Sequence, residues 1–178
     1  IQTIVDFNYA KKIESLTLSD KINVHLKINT CLNRIGENYN NIDNFIKMFN
    51  MTNLNILGCY SHLGVADSLD NGDIEFTKNQ IQNFDLCINK IKEAGYNPGK
   101  LHIQNTYGTL NYSNLRYDYV RIGIGIYGVF NNIIHENNSK TLIHLKPVLA
   151  LKARVTSIHK LHKNDSVSYG RNFVASKD

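Results

Sequence analysis

The sequence predicts an α/β fold in which parallel strands are joined by crossover helices, and three observations support it. Before residue 138, short apolar runs alternate with amphipathic helical patterns, the way successive βα units read. The strongest pattern, from 71 to 94, is a helix with an apolar run on either side. Near Asn138 the periodicity changes, and from there apolar residues alternate in twos and threes without a helical stripe, so a second architecture is expected.

The elements come in order along the chain. Residues 3–7 and 9–16 read as an opening strand and helix. Residues 23–29 (NVHLKIN) form the next strand, and Ile42, Phe45, Ile46 and Phe49 fall at helical spacing after the loop beyond it. Residues 53–61 (NLNILGCYS) make a further strand. In the long helix, Ile74, Ile81, Phe84, Ile88 and Ile91 share one stripe, Asp73 and Glu75 suit the positive end, and Gly95 is placed to cap the other. Strands are also expected at 100–104 (KLHIQ) and 117–122 (YDYVRI). Residues 131–139 (NNIIHENNS) read as a linker, 148–161 as non-helical alternation, and 167–174 as a short strand. The expected division is therefore 1–138 and 139–178.

Composition narrows the function. With 178 residues, 42% hydrophobic and 20% charged, the chain is ordinary globular material, long enough for one core and part of a second. Its net charge of +5 is scattered, with no basic stripe interleaved with aromatics, which argues against nucleic-acid binding. Cys31, Cys59 and Cys87 are odd in number and far apart, suggesting neither a metal clip nor a disulfide framework. A reducing, cytoplasmic setting fits, and no run approaches the roughly 20 apolar residues of a membrane span. No membrane contact by this segment is expected.

Parallel α/β sheets place ligands at the C-terminal ends of their strands, so polar residues there merit a functional reading. Lys27 and Arg34 flank the first such end, and His62 comes after the second. Gln104, Asn105 and Thr106 come after the third, and Arg121, Gly123 and Gly125 after the fourth. A hydroxyl at Thr106 and glycines that let backbone N–H groups approach closely suit an anionic group such as phosphate.

These strand ends resemble, in order and spacing, the successive motifs of the alanine racemase family. HLKINTCLNRIG at 25–36 resembles the family's KxDTGMxRLG segment, and GCYSHLGVADS at 58–68 its GxxTHxxxAD turn. HIQNTYGTL at 102–110 resembles HxxNSxxxL, and DYVRIGIGIYG at 118–128 resembles DxVRxGIxxYG. LKPVLALKARVTSIHKL at 145–161 and VSYGRNFVA at 167–175 resemble the first strands of the β domain that comes after the family's barrel. The membrane-attached serine/alanine racemases of vancomycin resistance are similar through HIQNTYGTLNYSNL and ADSLDNGDIEFTKNQI. The resemblance implies a partial (β/α)8 TIM-type barrel followed by the start of a β domain, with pyridoxal 5'-phosphate as cofactor.

It also implies roles. Arg121 would donate to the pyridine nitrogen, with His62 and His102 holding it; the alternative for Arg121 is an end-of-strand arginine paired with Asp118. Thr106, Gly123 and Ile124 would contact the phosphate, and Asn105 would line the pocket. Arg34 would stand near the cofactor's phenolic oxygen and the substrate carboxylate. Lys27 would be a carbamylated lysine that neutralises Arg34, or else an inward polar residue closing a barrel layer.

The implied reaction is interconversion of L- and D-alanine, or serine, by a lysine and a tyrosine that exchange the α-proton from opposite faces in a head-to-tail homodimer, supplying peptidoglycan precursors. A non-catalytic cofactor carrier and a degenerate regulatory barrel are the alternatives. Three departures matter. Asn29-Thr30-Cys31-Leu32 stands where the family has Asp-Thr-Gly-Met. No segment before Thr30 resembles the motif of the cofactor-bearing lysine, and the tyrosine belongs to β-domain sequence beyond Asp178. This stretch alone is therefore expected to be inactive and to fold poorly.

Overall fold

The computed structural model describes residues 1–130 and 143–178. The expected boundary at 138 and the linker 131–139 lie outside the described residues. Two compact units are present, Ile1–Val148 and Leu149–Asp178.

The first unit is an α/β parallel sheet. Its elements run β1 (Gln2–Ile4), α1 (Phe7–Glu14), β2 (Ile22–Asn29), β3 (Glu37–Asn38), α2 (Ile42–Phe49), β4 (Leu54–Tyr60), α3 (Asn71–Glu93), β5 (Lys100–His102) and α4 (Thr106–Asn111). The strands lie in the order β1-β2-β4-β5, all pairs parallel, with β3 pairing β2 at its end. Order in space matches order in sequence, so right-handed crossovers put the helices on one face of the sheet.

Alternation along β2 explains the two faces. Val24, Leu26 and Ile28 are fully buried with Ala10 and Ile13 of α1, Phe45 and Met48 of α2, and Phe84, Cys87, Ile88 and Ile91 of α3. His25, Lys27 and Asn29 point to the other face. Between β2 and β4 the register shifts, so that Val24 pairs Ile56 but His25 pairs Gly58. Leu57 is the extra residue of a bulge, which re-aims the residues after it: Tyr60 comes level with Lys27 on one side and with His102 of β5 on the other.

The helix ends obey local chemistry. Asp6 caps α1, its carboxylate accepting the Tyr9 N–H at 2.7 Å. At the end of α3, Gly95 takes φ +89°, Gly95 N–H bonds Lys92 O, and Tyr96 N–H bonds Ile91 O at 3.2 Å. That pair of bonds is a Schellman motif, the capping role expected of Gly95. The buried stripe of α3 is Thr77, Gln80, Phe84, Cys87, Ile88 and Ile91, while Ile74 and Ile81 are only half-buried.

The strand expected at 117–122 does not form. Asp118 and Tyr119 both direct their N–H groups to Leu101 O, while the Asp118 carboxylate takes the Leu101 N–H at 2.8 Å. A side chain thereby occupies the donor that a regular ladder would need. Neither β3 nor α4 was expected; Glu37 of β3 accepts the Phe7 N–H at 2.9 Å, tying it to the start of α1.

In the second unit, the short strand expected at 167–174 is a hairpin of β6 (Ser166–Val167) and β7 (Phe173–Val174), antiparallel around a 3-10 turn at Tyr169–Arg171. Residues 149–161 form no strand, since no neighbouring strand among the described residues accepts their ladder bonds.

Candidate functional site

The polar face of the sheet converges on Arg121. Its guanidinium bonds His102 Nδ1 through Nη1. Through Nη2 it donates to Ser61 O at 2.6 Å and Ile103 O at 3.3 Å and lies 3.2 Å from His62 Nδ1. The Tyr60 ring lies beneath, with its centroid 5.1 Å from the guanidinium carbon and 5.3 Å from Lys27 Nζ. Tyr60 also stacks on His102 at 4.8 Å and 11°, and its hydroxyl bonds Thr3 Oγ1 at 3.0 Å.

A guanidinium only donates, so each histidine nitrogen facing Arg121 must be an unprotonated acceptor. The electrostatics agree. Burial, with Arg121 next, pushes both His62 and His102 down to about 4. Burial first, then the neighbouring Arg121 and Arg34 charges, brings Lys27 down to about 7, and its ammonium donates to Ile28 O at 3.0 Å. The alternative pairing of Arg121 with Asp118 is not formed: Asp118 holds Lys100 at 2.8 Å instead.

Loop anchors fix this cluster. Gln80 of α3 accepts the Gly64 N–H at 2.8 Å and donates to His62 O at 3.2 Å, gripping the turn that carries His62. Thr30 and Ser61 share a hydrogen bond of 2.7 Å, joining the ends of β2 and β4.

A second cluster lies past β5. Asn105 caps α4 through the Gly108 N–H at 2.8 Å and reaches Leu63 O at 3.3 Å. Thr106 Oγ1 accepts N–H groups from Gly123 at 3.0 Å and Gly125 at 3.4 Å, and Ile124 between them opens the 3-10 turn Ile124–Tyr127. A Cβ on Gly125 would lie 2.8 Å from Thr106 Cγ2, so only glycine allows this approach. Arg34 is exposed on the loop after β2 and makes no side-chain hydrogen bond among the described residues, but its charge reaches Lys27 and His62. In that loop Cys31 takes φ +78°.

The larger clefts lie elsewhere. One of about 610 Å³ is lined by Asn40, Ile42, Lys47, Lys90 and Glu93, between α2 and α3. A cavity of about 220 Å³ does adjoin the second cluster, lined by Thr106, Thr109, Leu110, Ile122, Gly125, Ile143 and Leu145.

Residues 1–131 match the family described as alanine racemase, N-terminal domain. The chain belongs to this family. An alanine racemase of Treponema denticola is 39% identical over 177 residues, covering 98% of this chain and 44% of that protein. A serine/alanine racemase of Enterococcus gallinarum is 33% identical, covering 99% of this chain and 25% of that protein. The solved structure of an alanine racemase from Clostridium difficile 630 superposes with a TM-score of 0.83 at 26% identity, over 98% of this chain and 45% of that one. The chain thus spans less than half the length of these relatives.

Within the alanine racemase pattern, motif positions singled out Lys27, His62, His102 and Arg121, which the fold brings together, and Arg34, which acts on Lys27 and His62 by its charge alone among the described residues. His25, Tyr60, Ser61 and Gln80 were missed. All four lie inside stretches that resemble the family, and His25 sits two residues from Lys27 in a strand, the spacing that shares a face.

Proposed function

We propose that the chain is the cofactor-binding part of a pyridoxal-phosphate-dependent racemase that interconverts L- and D-alanine or serine. The observation that carries this is the state of Arg121. Two backbone carbonyls and the neutral His62 share the Nη2 protons and the neutral His102 takes one from Nη1, while among the described residues Nε–H and the second Nη1 proton make no hydrogen bond. Cationic donors are therefore left over on a rigidly held group, the chemistry a pyridine nitrogen requires. The second cluster suits the phosphate: because Thr106 Oγ1 accepts the Gly123 and Gly125 N–H groups, its own proton is left to donate, beside the Ile124 N–H at the start of the 3-10 turn.

When bound, pyridoxal phosphate makes the α-hydrogen of an attached amino acid acidic. Arg121 would donate to the ring nitrogen and hold it unprotonated, because a buried cation disfavours a second positive charge beside it. That would favour return of the α-proton over side reactions. His62, His102 and Tyr60 hold Arg121 in place, and Asn105 lines the pocket. Arg34 meets the substrate carboxylate from its loop. With its pKa near 7, Lys27 supplies the neutral amine that carbamylation requires, and the carbamate then offsets Arg34.

Proton exchange falls to a lysine and a tyrosine of the family pattern, the tyrosine from the other subunit of a homodimer. The sheet belongs to a (β/α)8 barrel, and the second unit begins a β domain. The exposed row of Tyr119, Val120 and Ile122 beyond β5 supports the barrel, since further strands would cover it. The protein acts in the cytoplasm.

The test is to purify the full-length protein with pyridoxal phosphate, record the visible absorbance of bound cofactor, and assay both enantiomers of alanine and serine. Bound cofactor with turnover is expected. Cofactor without turnover would refute the racemase and leave a carrier, and no bound cofactor would refute both.

A further inference from the structure

We infer that His25 is a positioning residue whose protonation reverses the hydrogen bonding of His102 and releases Arg121, making the arginine clamp sensitive to acid. The inference rests on the reading that Arg121 serves the cofactor ring. His25 Nδ1 lies 2.9 Å from His102 Nε2, so Arg121, His102 and His25 form a continuous chain across the sheet.

Only one arrangement of protons satisfies that chain. Arg121 must donate, so His102 Nδ1 accepts and its proton sits on Nε2. That proton faces His25 Nδ1, which must also accept, leaving the His25 proton on Nε2. Adding a proton to His25 puts N–H on Nδ1, so two donors meet. The contact survives only if the His102 proton moves to Nδ1, where it faces the Arg121 N–H. Whichever way His102 responds, one donor-to-donor contact remains, and it ends either the His25 contact or the Arg121 contact.

The place of the His25 ring is built into the fold. A Cβ on Gly58 would lie 2.8 Å from both Cε1 and Nε2 of His25, so the bulge that sets glycine opposite His25 makes room for the imidazole. Stacking on Tyr60 fixes the His102 ring between its two partners.

The titratable and charged groups around this pair are Lys27 on β2, Tyr60 of β4, and, beyond His102, Arg121, Tyr119 and Asp118. Asp118 is already engaged by Lys100 and the Leu101 N–H. Burial holds His25 below its usual value. Since His102 lies near 4 and His25 is only half-buried, His25 takes the first proton as pH falls below about 6.5. The clamp is intact above that value and is lost as pH drops through the His25 titration.

Nitrogen-15 NMR of the histidines in the full-length apoprotein, titrated from pH 8 to 4.5, tests this without cofactor. The expected result is His102 as the Nε2–H tautomer at high pH, changing state together with His25. A His102 signal that stays constant through the His25 titration would overturn the inference. In parallel, pyridoxal phosphate affinity is measured against pH. His25→Phe is expected to weaken it about threefold to tenfold at pH 7.5 through loss of one acceptor. His25→Asn, whose Oδ1 replaces Nδ1 as acceptor, recovers part of that loss and removes the acid limb. An acid limb unchanged in His25→Asn would refute the role of His25. The tautomer change in a protein that binds no pyridoxal phosphate would refute the proposed function and leave the histidine switch standing.

Discussion

Gly58 is the position where the fold and the site depend most directly on one another, and Gly58→Ala measures that dependence. The added methyl would lie 2.3 Å from Lys100 O and 2.8 Å from the His25 ring. A methyl needs roughly 3.5 Å, so β5 must retreat from β4 by about 1 Å. That strains all three register pairs, Gly58 with Lys100, Cys59 with Leu101 and Tyr60 with His102. Overpacking costs about 1–3 kcal/mol and each weakened ladder bond about 1 kcal/mol more. Reduced freedom of the unfolded chain returns about 0.5 kcal/mol. With all three pairs weakened, the net loss is about 3.5–5.5 kcal/mol. In urea, with a slope of about 2 kcal/mol per molar, the unfolding midpoint of the full-length protein falls by more than about 1 M. Cofactor affinity should fall with it, because β5 carries His102. A midpoint within about 0.2 M of the parent would show that the sheet absorbs the methyl freely and that the close approach of β4 and β5 is not needed.

Three further outcomes are expected from other parts of the structure. Cys31 holds φ +78°, a conformation that costs an L-residue about 1–2 kcal/mol; Cys31→Gly should raise stability by about 0.5–1 kcal/mol in the same urea assay. Gln80→Leu removes both bonds to the turn at His62 and should weaken pyridoxal phosphate binding about tenfold by absorbance titration, with the fold retained on circular dichroism. His62 and His102 titrate near 4 when folded against about 6.5 unfolded, so their contribution to stability is complete above pH 6.5 and is lost as pH falls toward 4. With the half-exposed His62 discounted for screening, the loss between pH 7 and 4 is on the order of 3 kcal/mol, and urea midpoints measured along that range should show it.

The features that the sequence discloses and those that it hides divide along physical lines. Helix α3 and strands β2 and β4 were legible because apolar periodicity reports which face is buried, and Gly95 because a Schellman cap asks for glycine. Hydrogen-bond competition was not legible. Residues 117–122 carry strand-forming side chains, yet the Asp118 carboxylate captures the Leu101 N–H and the ladder never starts. Thr77 and Gln80 displace Ile74 and Ile81 from the centre of the α3 stripe, and Gln80 is satisfied by a turn distant in sequence, which no local pattern expresses. The site shows the same split. Expected strand ends singled out Lys27, His62 and Arg121, and the family motif added His102, but a single extra residue at Leu57 brings them into one cluster. Without that bulge, His25 would face Leu57 instead of Gly58, and Tyr60 would turn toward the helices, taking with it the aromatic floor under Arg121 and Lys27. A one-residue irregularity between two strands thus decides whether four separately recognisable side chains meet in one cluster.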